Sequence, residues 1–85
     1  MAQYRVIFRK SVYKDMRSIP QKDVRRILDV IKALEDDPRP PSTKKLSGQE
    51  RYRIRQGNYR ILYEIADDKL IVCVVKVGVR RDVYR

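Results

Sequence analysis

The feature that most limits the possible folds is the pair Gly57-Asn58, which lies between two runs of alternating apolar and polar residues. Gly-Asn in that setting is typical of a two-residue β-hairpin loop. The loop also fixes the register of the hairpin, because opposite residues share a face. The register pairs Gln56 with Tyr59, Arg55 with Arg60, Ile54 with Ile61, Arg53 with Leu62 and Tyr52 with Tyr63.

One face of this hairpin is apolar and the other carries arginines, with Arg51, Arg53, Arg55 and Arg60 on the same side. Like charges set directly opposite each other lower stability. A face of long, solvated side chains would explain the pattern, and so would a binding site for a polyanion. The pattern of residues 51–65 alone leaves both interpretations open.

Composition narrows the possible partners. The chain has 85 residues, and we expect residues 1–85 to form one domain. Its 21 Lys and Arg residues against 11 acids, a net charge of +10, favour binding to nucleic acid, an anionic membrane or an acidic protein. Its single cysteine, Cys73, predicts no disulfide. No stretch has the length of a membrane span or the pattern of a secretion signal, so we expect a soluble cytoplasmic protein without a membrane partner.

The chain contains no histidine. With a single cysteine, this excludes nearly every zinc or transition-metal site built from protein ligands. It also removes the usual general base. Any chemistry must therefore use arginine, lysine, tyrosine or carboxylates, and we expect no metal or other cofactor.

The helices precede the hairpin. Residues 11–18 are predicted to form a short helix with Ser11 as its N-cap, and residues 21–35 a longer one. The apolar stripe of the second helix consists of Val24, Ile27, Leu28, Ile31 and Leu34. Residues 39–48 are predicted to form an exposed connection that Leu46 fixes to the core.

The strands complete an α+β fold in the order β-α-α-β-β-β. Residues 3–9 alternate as a strand, and residues 70–77 form an apolar, β-branched run that predicts a strand covered on both faces and ended by Gly78. We expect a four-stranded, mainly antiparallel sheet with the αα-hairpin packed on one face. The first strand should lie beside the last.

The tail adds candidate chemistry. If it folds back over the sheet, Arg80 and Tyr84 can join Arg53, Arg55 and Arg60. Arginines lower the pKa of a neighbouring tyrosine, which makes it a feasible acid or base for attack of an RNA 2′-hydroxyl on its own phosphate. Alternatively, Tyr84 is a terminal aromatic packed on the sheet edge.

Three segments resemble the RelE toxin family of the bacterial RelE/ParE toxin superfamily. They are Lys45-Leu46-Ser47-Gly48, residues 52–65 and Val77-Gly78-Val79-Arg80-Arg81-Asp82-Val83-Tyr84, and the likeness extends over essentially the whole chain. The resemblance implies a RelE-like domain and a type II toxin that cleaves mRNA in the ribosomal A site. That cleavage is metal-free and leaves a 2′,3′-cyclic phosphate. The partners implied are mRNA and the 70S ribosome, a RelB-like antitoxin with an acidic binding segment, and operator DNA through the antitoxin.

The resemblance also assigns roles to single residues. Arg53 and Arg55 match basic residues near the scissile phosphate, Arg60 and Arg80 match arginines that contact it, and Tyr84 matches the tyrosine that positions the 2′-hydroxyl. Ribosomal or messenger RNA is expected to contact Lys44, Lys45, Arg51 and Arg81, although Lys44 and Lys45 also read as solvated loop lysines. The chain departs from many relatives at Val79, where they have histidine, and in having arginine where some have lysine.

Two other functions remain open. The same fold serves ParE-like toxins, which poison DNA gyrase by protein contact without nuclease chemistry. A basic RNA-binding module would show the same charge without needing Tyr84.

Overall fold

The computed structural model describes residues 3–46 and 50–79. These residues form two helices and five strands, in the order β1 (Arg5–Phe8), α1 (Lys10–Arg17), α2 (Gln21–Ala33), β2 (Lys44–Lys45), β3 (Arg51–Gln56), β4 (Tyr59–Ala66) and β5 (Ile71–Val79). The strands make one sheet with the spatial order β1-β5-β4-β3-β2. The α+β class is confirmed, whereas the described part of the chain has one more strand than the four expected.

The hairpin has the predicted register. Gln56 faces Tyr59, Arg55 faces Arg60, and the pairing continues to Arg51 and Glu64. Gly57 has φ +59°, while Asn58 is not among the residues with positive φ. A positive φ at the first central residue only is the pattern of a type II′ turn, whose twist suits a hairpin.

The first strand lies beside the last, as predicted. β1 runs parallel to β5, with Arg5 opposite Ile71 and Phe8 opposite Val74. The helical hairpin is the crossover connection that a parallel pair requires. β5 is therefore a central strand, and it continues through Gly78 to Val79, so the expected end at Gly78 is wrong.

An irregularity in the pairing of β4 with β5 keeps a lysine out of the core. The register shifts between Leu62 and Tyr63, which leaves Val75 without an opposite residue. Without the shift, Lys76 would face Ile61, which is fully buried. With the shift, Val77 takes that place and Gly78 faces Arg60. The Asp15 carboxylate accepts a hydrogen bond from the Val77 backbone N–H at 3.3 Å, and this contact holds α1 against the shifted segment.

The helices begin and end near their predicted positions. The N-cap of α1 is Arg9, without a capping side-chain hydrogen bond, so the prediction of Ser11 as the cap is wrong. In α2, Ile27 and Ile31 are buried, as is Leu34 at its C-cap. Leu28 is 41% exposed and does not belong to the buried stripe.

The main core lies between the helices and the sheet. It combines Val12 and the buried stripe of α2 with sheet residues, which are Tyr52, Ile54, Ile61, Tyr63, Val72, Val74 and Val77. Each aliphatic side chain buried in this way contributes about 1.5–3 kcal/mol. A smaller cluster on the opposite face joins Leu62 and Val75, with Leu46 packed against it as predicted.

The additional strand is β2, at one edge of the sheet. Lys44 pairs with Arg53 and Lys45 with Tyr52. Two residues are too few to show a period in the sequence, so this short strand was expected to be part of an exposed connection. None of the described helices is long and apolar enough to cross a membrane.

Candidate nucleic-acid interface

The open face of the sheet gathers basic side chains from three neighbouring strands. Lys44 lies opposite Arg53, and Arg55 lies opposite Arg60. Because side chains two residues apart on a strand point to the same side, Arg53 and Arg55 share this face. We call the set of Lys44, Arg53, Arg55 and Arg60 the basic face. It lies on the side of the sheet away from the helices.

The arginines of the basic face lie at different depths. Arg60 is only 5% exposed, Arg53 is half-buried and Arg55 is exposed. Alternation along the sequence predicted that they share a face but gave no sign that Arg60 is buried. A buried guanidinium has a fixed direction, and its planar fork suits bidentate hydrogen bonds to phosphate.

The acid nearest to the basic face in the sheet is already paired. Glu64 accepts a hydrogen bond from Arg51 Nε at 3.1 Å and one from an Arg9 amino group at 3.4 Å. Arg51, expected to contact RNA, therefore makes an ion pair within the sheet. Because Glu64 is compensated by these two cations, it does little to offset the charge of the basic face.

The two lysines of β2 point to opposite sides. Lys44 is on the basic face, whereas Lys45 pairs with the core residue Tyr52. Lys45 Nζ lies 3.8 Å from a Glu50 carboxylate oxygen, and both side chains are exposed. The structure therefore separates two residues that the sequence had grouped.

Two shallow cavities mark the basic face. One, of about 270 Å³, is lined by Ser42, Lys44, Arg53 and Arg55. The other, of about 120 Å³, is lined by Arg55, the hairpin loop, Tyr59 and Arg60. Arg55 is common to both, so the two cavities adjoin along β3.

Val79 does not belong to the basic face. It lies opposite Tyr59, one residue beyond Gly78, which faces Arg60. Alternation thus places the Val79 side chain on the helix side of the sheet, where it lines a cavity with Asp15 and Ile19. The departure from relatives with histidine at this position therefore removes no group from the basic face.

Three candidate residues lie outside the described part of the chain. They are Arg80, Arg81 and Tyr84. The expected contribution of the tail to the site therefore stays a prediction.

A network that no sequence pattern predicts fixes the connection between α2 and β2. The Arg39 guanidinium donates two hydrogen bonds to the Asp67 carboxylate, at 3.1 and 2.9 Å, and a third to the Tyr52 hydroxyl at 3.2 Å. It also lies over the Tyr52 ring, 5.1 Å from the centroid. The Tyr4 hydroxyl donates to the same carboxylate at 2.6 Å. We call Arg39, Asp67, Tyr52 and Tyr4 the Arg39 network.

The protonation equilibria of the Arg39 network follow from these contacts. The pKa of Asp67 is lowered from 3.8 to about 2, mainly by the hydrogen bonds from Arg39 and secondly by the one from Tyr4. The hydrogen bond to Asp67, followed by that to Tyr52, raises the pKa of Arg39. Donation to Asp67 raises the pKa of Tyr4. The Asp67 carboxylate and the Arg39 guanidinium are therefore both charged throughout the pH range in which proteins function.

The hairpin is also tied to α2. The Tyr59 hydroxyl donates to an Asp23 carboxylate oxygen at 2.8 Å, and this hydrogen bond raises the pKa of Tyr59. Because Tyr59 neighbours Arg60, the contact fixes the start of β4 and hence the position of the buried guanidinium.

The basic face can bind phosphates and stabilise negative charge that develops on phosphorus. Its four side chains are three guanidiniums and one ammonium, which supply positive charge and hydrogen-bond donors but no acceptor. A general acid or base for phosphate chemistry would have to come from elsewhere, and Tyr84 is the residue the sequence offers. Residues 3–46 and 50–79 contain no group of three or more acids or cysteines placed to hold a metal ion.

Comparison with known proteins finds a ParE family model and relatives named RelE. Residues 4–84 match the family model described as the ParE toxin of the type II toxin–antitoxin system parDE. A putative RelE-like toxin protein of Escherichia coli is 31% identical over 96% of this chain and 90% of its own length. The putative toxin RelE1 of Methanocaldococcus jannaschii is 28% identical over 98% and 97%. In the crystal structure of an archaeal RelE–RelB complex from Pyrococcus horikoshii, a chain with 32% identity superposes with a TM-score of 0.82, covering 94% of this chain and 97% of that one.

Proposed function

Because the chain belongs to the RelE family of the RelE/ParE superfamily and is a RelE-like toxin of a type II toxin–antitoxin system, we propose that it is an endoribonuclease that cleaves mRNA in the ribosomal A site. The observation that carries the proposal is Arg60, a guanidinium buried to 5% exposure and facing Arg55. Burying one arginine opposite another lowers stability, and a solvated surface of charged side chains would not require it.

In the proposed reaction, a 2′-hydroxyl oxygen of the RNA attacks the adjacent phosphorus, and the bond from phosphorus to the 5′ oxygen breaks. The upstream fragment ends in a 2′,3′-cyclic phosphate and the downstream fragment in a 5′-hydroxyl. Arg60 and Arg80 stabilise the charge on the phosphoryl oxygens, Arg53 and Arg55 hold the flanking backbone, and Tyr84 positions and activates the 2′-hydroxyl. Protons leave the 2′-oxygen and reach the 5′-oxygen without a metal.

We further propose a cognate RelB-like antitoxin. Relatives of known structure include RelE–RelB complexes from archaea, Mycobacterium tuberculosis and E. coli. An acidic segment complements the net charge of +10 and would compete with RNA for the basic face. Operator DNA would then be reached through the antitoxin.

The test is primer extension on mRNA from cells that express the protein without its antitoxin. We expect cuts within codons at stalled ribosomes. Arg60→Ala and Tyr84→Phe should each relieve growth arrest and remove the cuts. Full toxicity in both variants would refute the proposed site.

Arg60 is buried, so its loss could act through folding. Arg60→Lys keeps the positive charge without the bidentate fork, and it should fold yet cleave slowly. Arg25→Ala is the matched control, because it removes an exposed arginine from α2, outside the basic face. The midpoint of thermal unfolding of each variant shows whether the protein is folded at the assay temperature.

The match to the ParE family model favours a second candidate, a toxin that poisons DNA gyrase. In that case mRNA would stay intact, and DNA breaks that depend on gyrase would accompany growth arrest. The same arrested cells serve for both assays.

A further inference from the structure

The connection between α2 and β2 contains Pro38, Pro40 and Pro41 and would be a poorly defined surface segment without long-range contacts. Its start is fixed by the Arg39 network, which ties it to the turn after β4 and to β3. Tyr63 fixes the connection on both sides of Arg39. The Tyr63 hydroxyl donates to the Pro38 carbonyl at 2.8 Å, and Thr43 Oγ1 lies 2.8 Å from the same hydroxyl. Because a phenol has one proton, Thr43 is the donor in the second contact.

These contacts decide which side chains of the connection face outward. Thr43 is bonded on the core side of the sheet, and the next residue, Lys44 of β2, turns to the open face opposite Arg53. Ser42 lies in the turn just before β2 and comes to the same side. There they line the 270 Å³ cavity with Arg53 and Arg55. Lys44 lies directly opposite Arg53 in the register. A hydroxyl, an ammonium and a guanidinium therefore converge on one concave site.

This site lies one step along β3 from the Arg55–Arg60 pair. Arg53 and Arg55 are two residues apart on one strand, so the two basic pairs are about 7 Å apart. That spacing suits consecutive phosphates of an extended single strand. We propose that Ser42, Lys44 and Arg53 form a second phosphate-binding position for a single-stranded RNA, and that Arg39 is the positioning residue that holds Ser42 and Lys44 there. The inference rests on the proposed function only in naming RNA as the ligand.

The test measures binding of a short, fully 2′-O-methylated RNA, which keeps its phosphates but has no 2′-hydroxyl to attack. Each phosphate neutralised on a single strand contributes about 0.7 to the slope of log affinity against log salt. Lys44→Ala should reduce that slope by about 0.7 and weaken binding roughly threefold to tenfold at low salt. Ser42→Ala should weaken binding without changing the slope, because the hydroxyl is neutral.

Two further variants separate this site from general charge. Lys32→Ala, on the exposed surface of α2, loses the same charge and should leave the slope unchanged. Lys45→Ala loses a charge from the adjacent residue on the other side of β2. A reduction with Lys45→Ala as large as that with Lys44→Ala would overturn the proposal, as would an unchanged slope with Lys44→Ala. If Lys44→Ala lost binding to an acidic peptide while its RNA binding was unaffected, the proposal would also be overturned.

The positioning role of Arg39 is tested by a mutant cycle. Arg39→Gln alone should reduce the slope and the affinity, as Lys44→Ala does. In a protein that already carries Ser42→Ala and Lys44→Ala, Arg39→Gln should have no further effect on RNA binding. Additive effects would mean that Arg39 contacts RNA itself. A lower unfolding midpoint with an unchanged slope would mean that its role is structural. Either result overturns the positioning role.

Failure of this inference differs from failure of the proposed function. If Arg60→Ala abolishes cleavage while Lys44→Ala leaves the salt slope unchanged, the second position is refuted and the nuclease stands. If the protein cuts no mRNA on the ribosome but Lys44→Ala reduces the slope, the RNA site stands and the nuclease is refuted.

Discussion

Replacing Arg55 by glutamine should make the protein more stable and less active. Arg55 faces Arg60 across two neighbouring strands, where like charges cost roughly 0.2–1 kcal/mol. Two unit charges about 6 Å apart repel by about 0.7 kcal/mol even in water, which agrees with that range. Arg55→Gln should therefore raise the free energy of unfolding by about 0.5 kcal/mol, and the unfolding midpoint by about 2–4 °C.

The assay is thermal unfolding followed by circular dichroism, at low salt and at 1 M salt. The Debye length falls from about 10 Å at 0.1 M to about 3 Å at 1 M, so the difference between Arg55→Gln and the original protein should disappear in high salt. Arg5→Gln is the matched control. It removes an exposed arginine from a strand position that faces Ile71 rather than a cation, and it should bring no gain.

Two results would refute the reasoning. A gain that persists at 1 M salt would not be electrostatic, and a loss of stability would mean that the stem of Arg55 contributes more by packing than its charge costs. Cleavage should fall in the same variant, because Arg55 holds the RNA backbone in the proposed reaction.

Three further predictions follow from the fold. Gly57→Ala should lower the free energy of unfolding in urea by about 1–2 kcal/mol, purely from the backbone, since φ is +59° and nothing lies within 4 Å of an added Cβ; an unchanged value would contradict the turn geometry. Tyr63→Phe should cost about 1–3 kcal/mol in the same assay because Pro38 loses its donor, and a cost no larger than that of Thr43→Val would contradict this. Folding lowers the pKa of Asp67 from 3.8 to about 2, so the ionised carboxylate stabilises the folded protein fully above about pH 5, and this stabilisation is lost as the pH falls towards 2. The unfolding midpoints of Asp67→Asn and the original protein should therefore converge near pH 2. A gap between the two midpoints that stays constant with pH would refute this.

The parts of the fold that the sequence predicts are those with local signals. The period of two on both sides of Gly57 and Asn58 fixed every pair of the hairpin, because a one-residue slip would have turned Ile54 and Ile61 outward. The same period placed four arginines on one face, which are Arg51, Arg53, Arg55 and Arg60. Alternation gives the side of a sheet but not the depth, so the burial of Arg60 came only from the structure.

The parts that sequence reasoning missed depend on contacts between distant segments. Arg39 and Asp67 are 28 residues apart and lie in two separate connections, neither of which has a period. Their meeting follows from the strand order, since β2 and the end of β4 lie on either side of β3. Ser11 failed as an N-cap because the helix starts at Lys10 and its cap is Arg9, two residues before Ser11. A cap is defined by backbone geometry as well as by residue type.

Because Val75 has no opposite residue in β4, the alternation of side chains along β5 changes phase at this position. Before it, Val72 and Val74 face the helices at even positions, and after it Val77 does so at an odd one. Deleting Val75 would leave β1 and the first half of the strand in place but advance the rest by one position. Lys76 would then occupy the position of Val75, Val77 would turn away from the core and Gly78 would no longer face Arg60. Substitutions at Val75 can conserve this arrangement. A change in the length of β5 would instead shift the residues that face the core and those that face the basic face at the same time.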